Sequence, residues 1–225
     1  MSVTVITIPP DVSHCHRRFV MSVTDTRRYD GFMARWTPGG RGRLHAAALE
    51  LYAQHGFDNT TVAEIAQRAG LTERTYFRHF RDKREVLFAA LPDLREALVG
   101  AVANAPASLA PLDAVAVGLE AAAAVLPARE TARQRRAIIA ATPELQERDL
   151  IRSASLSTAL ADALRARGVA DPAATLAGEI GMAVFRVASD RWLDETDERD
   201  LPDLIRESLH ELERLHRKRR AGSRR

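Results

Sequence analysis

The chain has 225 residues, 46% of them hydrophobic but only 5% aromatic, with a formal net charge of +3 and a sequence pI of about 9.5. That length suffices for a real core, as one large domain or two smaller ones, and an apolar share dominated by alanine and leucine reads as all-α. A single cysteine, Cys15, excludes an intrachain disulfide, no apolar run approaches the ~18 residues of a membrane span, and Pro9-Pro10 interrupts any signal pattern, so a soluble protein of the reducing cytoplasm is expected.

Residues 1–40 show no helical periodicity and read as a disordered extension. Met-Ser-Val-Thr occurs at 1–4 and again at 21–24, by chance or as a second start. His14-Cys15-His16 crowds three potential ligands together with no partner set downstream, so no metal or cofactor is assigned.

Helical patterning begins at Arg41, and 41–90 read as one domain. The first helix is expected over Gly42–His55, with Leu44, Ala48, Leu51 and Tyr52 on its apolar face and Gly56 at its stop. Thr61, with Glu64 three residues later, forms a capping box that opens a second helix. Ile65, Ala66 and Ala69 give that helix its apolar face, and Gly70 ends it. Leu71 follows, then Thr72 as a second N-cap, so the third helix is short and closes near His79. Asp82 with Glu85 caps a fourth, carrying Val86, Leu87, Ala90, Leu94 and Leu98, which Pro92 bends or divides.

Residues 91–217 read as a second helical domain. Pro106 and Pro111 bound a linker. Helices are then expected over Leu112–Leu126, over 129–141 with Arg133, Arg135 and Arg136 on the polar face, from Pro143 to Arg167 before Gly168, from Asp171 to Leu193, and over Leu201–Arg217. A basic, disordered tail at 218–225 completes the chain. Charge is uneven: arginine gathers at the N-terminal end, at 74–84 and in Arg214–Arg225, while Asp194–Asp203 is acidic. Such clusters suit nucleic acid, against the plainer reading of a solvated surface.

Two short helices joined by Gly70-Leu71 make a candidate helix-turn-helix. The turn needs a residue tolerant of left-handed backbone, which Gly70 supplies. The next must be apolar to fill the angle, as Leu71 is. The N-terminal turn of the second helix must present small polar and basic groups to a major groove, and Thr72, Glu73, Arg74, Thr75 and Arg78 do so. Thr61 and Thr72 cap their helices and leave backbone N–H groups for phosphates.

The stretch Thr60–Lys83, with Gly42-Arg43-Leu44 and Gly56-Phe57 before it and Glu85-Val86-Leu87 after it, resembles the DNA-binding signature of the TetR family of regulators. The resemblance implies a three-helix DNA-binding head followed by a helical effector-binding and dimerisation bundle. It puts Thr61 and Thr72 on phosphates, Arg74, Thr75 and Arg78 on bases or backbone, and His79 and Lys83 on phosphates, with Tyr76 and Phe80 as supports. One position departs: Phe77 stands where the family commonly has a phosphate-binding tyrosine. Phe77 is left to touch sugars or a thymine methyl, with Arg78 supplying the backbone contact.

From the resemblance follows a homodimer on a palindromic double-stranded operator, most simply a repressor released by a small hydrophobic effector; sequence does not fix the sign. The dimer is expected through the last two helices, about 173–193 and 201–217, where Ala177, Gly181, Val184 and Ala188 form a small-residue stripe and Leu201, Leu204, Ile205, Leu209, Leu212 and Leu215 an apolar one. The competing reading turns both stripes to the subunit's own core. Arg135-Arg136-Ala137-Ile138-Ile139, Pro143-Glu144-Leu145 and Arg191-Trp192-Leu193 resemble the C-terminal half of mycofactocin-type TetR regulators, implying a hydrophobic effector. Met182, Phe185 and Trp192 read as core before ligand box, and Arg186 and Arg191 as solvent-exposed or paired with Asp190 or Asp194 before partners of an anionic effector. No nucleophile elbow, phosphate loop or zinc pair is present, so the chain is not read as an enzyme. The remaining rivals are a nonspecific architectural DNA binder and a DNA binder with no effector, whose second half serves only dimerisation.

Overall fold

The computed structural model describes residues 39–195 and 199–222, and every regular element among them is helical. The expected N-terminal extension up to residue 38, its repeat at 21–24 and the His14–His16 cluster lie outside the described residues; Gly39 and Gly40, also expected in it, are the N-cap and first residue of a helix. Among those residues, no helix is long and apolar enough to cross a membrane.

The head consists of α1 (Gly40–His55), α2 (Val62–Arg68) and α3 (Glu73–His79), followed by a single 3-10 turn, Glu85–Phe88. Leu44, Ile65, Tyr76, Phe80 and Leu87 are buried at its centre. Each such side chain contributes about 1.5–3 kcal/mol on leaving water. The same apolar cluster runs on into Ile138, Ile139 and Leu145 of the body, so the head's core continues past the linker.

The expected fourth helix is divided. Asp82 caps as anticipated, its Oδ1 accepting from the backbone N–H groups of Arg84 at 2.8 Å and Glu85 at 2.9 Å. Only the 3-10 turn forms before α4 (Leu91–Asn104) starts afresh with Pro92 in its first turn, the one helical position where a missing N–H costs nothing. The body continues with α5 (Pro111–Ala123), α6 (Arg129–Ala140), α7 (Pro143–Ala166), α8 (Asp171–Asp194) and α9 (Leu201–Gly222). Helix α9 runs five residues beyond the expected end at Arg217.

The small-residue stripe does not face outward. Ala177, Gly181, Val184 and Ala188 are buried within the subunit. A methyl added to Gly181 would lie 2.5 Å from Val115 of α5, and one on Gly178 would lie 2.6 Å from the Ser157 carbonyl of α7. These residues let α8 approach its own neighbours, which overturns the stripe as support for a dimer seam. Leu201, Leu204 and Ile205 are buried likewise. What stays uncovered on α8 is another face: Leu176 is 63% exposed and Val187 46%, with Ala183 exposed and Ile180 half-buried between them.

Nor is the arginine-rich side of α6 a solvated face. Arg133 donates to the carbonyls of Leu193 at 2.6 Å and Glu195 at 2.9 Å, and Arg136 pairs with Asp194 and Asp190. Arg129 lies 5.3 Å from the Trp192 ring, Met182 is buried and Phe185 half-buried. Arg191 pairs with Glu195 at 3.2 Å and Glu207 at 2.9 Å, not with either expected aspartate.

Candidate DNA-binding site

Local chemistry sets both helices of the motif. Thr61 Oγ1 accepts from the Glu64 N–H at 3.2 Å, and Glu64 Oε2 accepts from the Thr61 N–H at 2.7 Å, closing the capping box. These bonds hold the Glu64 carboxyl below its ordinary range. Helix α2 ends through Gly70, whose φ of +65° is open to glycine at no steric cost. The Leu71 N–H then bonds back to the Ala66 carbonyl at 2.8 Å, and the half-buried Leu71 packs against the head's core. Thr72 caps α3, accepting from the Thr75 N–H at 3.2 Å, with the two hydroxyls 3.1 Å apart.

Helix α3 is fixed from beneath. Tyr76 is fully buried, lies tilted against Phe80 at 5.5 Å between centroids and donates its hydroxyl to the Asp82 carbonyl at 3.0 Å. Burial drives the Tyr76 phenol far above its ordinary pKa, so it remains a donor at any working pH. Outward lie Thr72, Glu73, Arg74, Phe77 and Arg78, all exposed, with Thr75 half-buried among them. Phe77 is 55% exposed, held edge-on to Tyr76.

Two expected residues sit differently. His79 is half-buried where α3 meets the start of α1; a methyl on Gly40 would lie 3.1 Å from its Nε2. Desolvation, then the charges of Arg78 and Arg41, lower its pKa and favour the neutral imidazole. Lys83 is turned inward. Its ammonium donates to the carbonyls of Phe57 at 3.0 Å, Asp58 at 3.3 Å and Thr60 at 3.5 Å, and lies 4.3 Å from the centre of the Phe57 ring. The Tyr52 hydroxyl bonds the Lys83 carbonyl at 2.5 Å. Lys83 therefore closes the turn between α1 and α2.

Arg43 belongs to the family resemblance, but sequence reasoning assigned it no role. It is exposed on the first turn of α1, its guanidinium 3.8 Å from where a Gly70 methyl would stand, directly beside the helix-turn-helix turn. Its signal was a basic residue one turn into a helix whose N-cap is a glycine with no side chain to cap it. Arg41, two residues earlier, turns inward over Phe80 at 5.0 Å.

A short helix with exposed polar and basic groups, set by a glycine turn on a buried aromatic base, defines a helix-turn-helix protein. Residues 44–90 match the family model described as bacterial regulatory proteins, tetR family, and residues 109–217 match the MftR C-terminal domain. The chain belongs to the TetR family, which is one of transcriptional regulators and not of enzymes. It is 34% identical over 102 residues to the HTH-type transcriptional regulator TcmR of Streptomyces glaucescens, covering 40% of this chain and 45% of that one. It is 33% identical over 99 residues to the HTH-type transcriptional regulator AcrR of Shigella flexneri, covering 44% and 46%. The matched stretch thus spans less than half the length of either relative. Among solved structures, the SmeT–triclosan complex aligns with a TM-score of 0.54 at 20% identity, covering 76% of this chain and 90% of that one. SmeT, the repressor of the Stenotrophomonas maltophilia multidrug efflux pump SmeDEF, aligns at 0.52 and 20% identity, covering 75% and 86%. These two likenesses concern the fold.

Proposed function

We propose that this chain binds a palindromic operator in double-stranded DNA as a homodimer, and that a small hydrophobic effector in the body releases it. The exposed face of α3, seated on buried Tyr76 and Phe80, carries this reading. Arg74, Thr75 and Arg78 face base edges; Thr61, Thr72 and His79 meet phosphates; Glu73 and Phe77 border the same groove. Arg43 joins them from α1 as a backbone contact, and Lys83 supports the head from behind. Two such helices must stand ~34–36 Å apart to enter successive major grooves.

The dimer is assigned to the uncovered face of α8, Leu176, Ile180, Ala183 and Val187 at four-three-four spacing, together with Leu209, Leu212 and the 61% exposed Leu215 of α9. Isolated exposed leucines are ordinary on a monomer, but a helical stripe of them is a partner surface. The body's likeness to the MftR C-terminal domain, and the triclosan held in the SmeT complex, support a small apolar effector.

Selection of bound duplexes from a random pool tests the reading. Recovery of an inverted repeat, preferred over random DNA by ~10³ or more, is the expected outcome. Tight binding with no enriched sequence would instead make the chain a nonspecific architectural binder. Leu176→Glu with Val187→Glu should yield a monomer by analytical ultracentrifugation with helicity unchanged, and a dimer that survives both changes rejects the assigned face.

A further inference from the structure

The segment between head and body, Asp82 to Leu91, is one 3-10 turn with a helix on either side. A turn this short has little internal hydrogen bonding, and its orientation is set by what grips it. Every grip here is a side chain. From the head, His45 Nδ1 is 2.7 Å from the Val86 carbonyl, and Arg41 donates to the Ala89 carbonyl at 2.9 Å. From the body, Arg135 Nε donates to the Leu87 carbonyl at 2.9 Å. The Phe88 ring is flanked by the guanidinium groups of Arg135, 5.0 Å away, and Arg152, 4.3 Å away.

Arg135 does more than touch the turn. It lies on α6, and its second nitrogen donates to Asp149 of α7 at 2.9 Å. Its neighbour Gln134 donates to the Leu49 carbonyl of α1 at 3.2 Å. One planar guanidinium thus joins the linker backbone, α6 and α7. The fork is rigid, so the Leu87 carbonyl cannot keep its bond while α6 slides past it. Apolar packing of Leu87 and Phe88 with Ile138, Ile139 and Leu145 has no bond direction to keep, and the ion pairs of Arg148 with Asp82 and Glu144 with Arg84, both at 3.4 Å, join long, partly exposed side chains that tolerate movement.

We propose that Arg135 is the positioning residue that couples the body to the DNA-binding head, by fixing the 3-10 turn to α6 and α7 at once. This rests on the DNA-binding reading for its purpose, though not for its geometry. Movement of α6 against α7 breaks or drags the Leu87 bond and turns the head. Coupling is reciprocal, so operator binding must change α7 as surely as a change at α7 alters operator binding.

Two measurements decide it. In a Cys15→Ser background, spin labels at Gln67→Cys on α2 and Thr158→Cys on α7 report the head-to-body distance in DNA-free protein diluted with unlabelled chain. Arg135→Ala should broaden or shift that distribution. Arg133→Ala, on the same helix but bonded to Leu193 and Glu195, should leave it unchanged. Arg135→Lys keeps the charge near Phe88 without the fork, and should behave like Arg135→Ala if the latter folds poorly. Equal distributions in wild type, Arg135→Ala and Arg135→Lys overturn the proposal, whatever the protein binds.

The second measurement uses the duplex recovered by selection. Adding it should change amide exchange over residues 143–155 by ~5-fold or more in wild type and in Arg133→Ala, the scale of ordinary coupling, and by much less in Arg135→Ala. The same response in Arg135→Ala overturns the proposal. Should the wild type bind no duplex selectively, the DNA-binding reading falls, and the distance measurement still judges the clasp.

Discussion

Replacing Lys83 by methionine separates two roles that the sequence leaves superimposed. Methionine keeps most of the stem's bulk and removes the ammonium. Of its three carbonyl contacts only that to Phe57, at 3.0 Å, has a full-strength length; those at 3.3 and 3.5 Å are weaker. One charge-assisted bond contributes about 1.5–3 kcal/mol net, and the cation–π contact about 0.5–1 kcal/mol near a surface. Asp58 is exposed, so its carbonyl regains water when the ammonium leaves. Taking the low end for this half-buried site gives a loss of about 2 kcal/mol. For a chain of this size, that lowers Tm by about 4–8 °C. The assay is urea and thermal unfolding at fixed protein concentration, followed by operator binding across a salt series. The slope of log K against log salt should match wild type, because no phosphate partner has been removed. A slope flatter by about 1 per head, with stability intact, would refute the inward placement and return Lys83 to the DNA backbone.

Three further outcomes follow from the same structure. Arg74→Ala and Arg78→Ala should each cost about 1–3 kcal/mol of discrimination at the base pair they face, read by competition between the selected duplex and its single-position variants. Gly178→Ala places a methyl 2.6 Å from the Ser157 carbonyl, so α7 and α8 must separate; a destabilisation of about 1–3 kcal/mol is expected from urea midpoints. His45 carries the pH dependence. Burial, with Arg135 and Arg41 nearby, lowers its pKa below 6.5, against a raising contribution from the Val86 bond. The folded chain therefore binds fewer protons than the unfolded one below pH 6.5. Stability is full above that value and declines as pH falls toward the folded-state pKa. Comparing urea midpoints at pH 7.5 and pH 5 should show this loss in wild type and a smaller one in His45→Asn, which retains a donor for the Val86 carbonyl. Equal losses would remove His45 as the cause.

The motif was legible because its determinants are short-range. Thr61 finds Glu64, Thr72 finds Thr75, and Gly70 serves the backbone at its own position. Each acts within one turn of helix, where chain geometry fixes who meets whom. Tyr76 and Phe80 were legible as supports through the family resemblance, and both are buried. Pro92 marked the break in the fourth helix, although a 3-10 turn ahead of it could not be read from a proline. Arg43 was missed because its meaning comes from Gly70, 27 positions away in sequence and beside it in space.

By itself the sequence determined the two capped helices of the motif and the turn between them, and which short helix presents Arg74 and Arg78, since caps and glycines are decided between residues a few places apart. Tertiary structure decided the direction of side chains with several feasible partners. Lys83 turned to three carbonyls of the head, Arg135 to a linker and a second helix, and the stripe at Ala177 and Gly181 to its own subunit. A lysine, an arginine or a small-residue stripe carries no record of which distant surface will satisfy it. That choice falls to the packing of the whole chain, where leaving a polar group or an apolar face unmatched is what costs most.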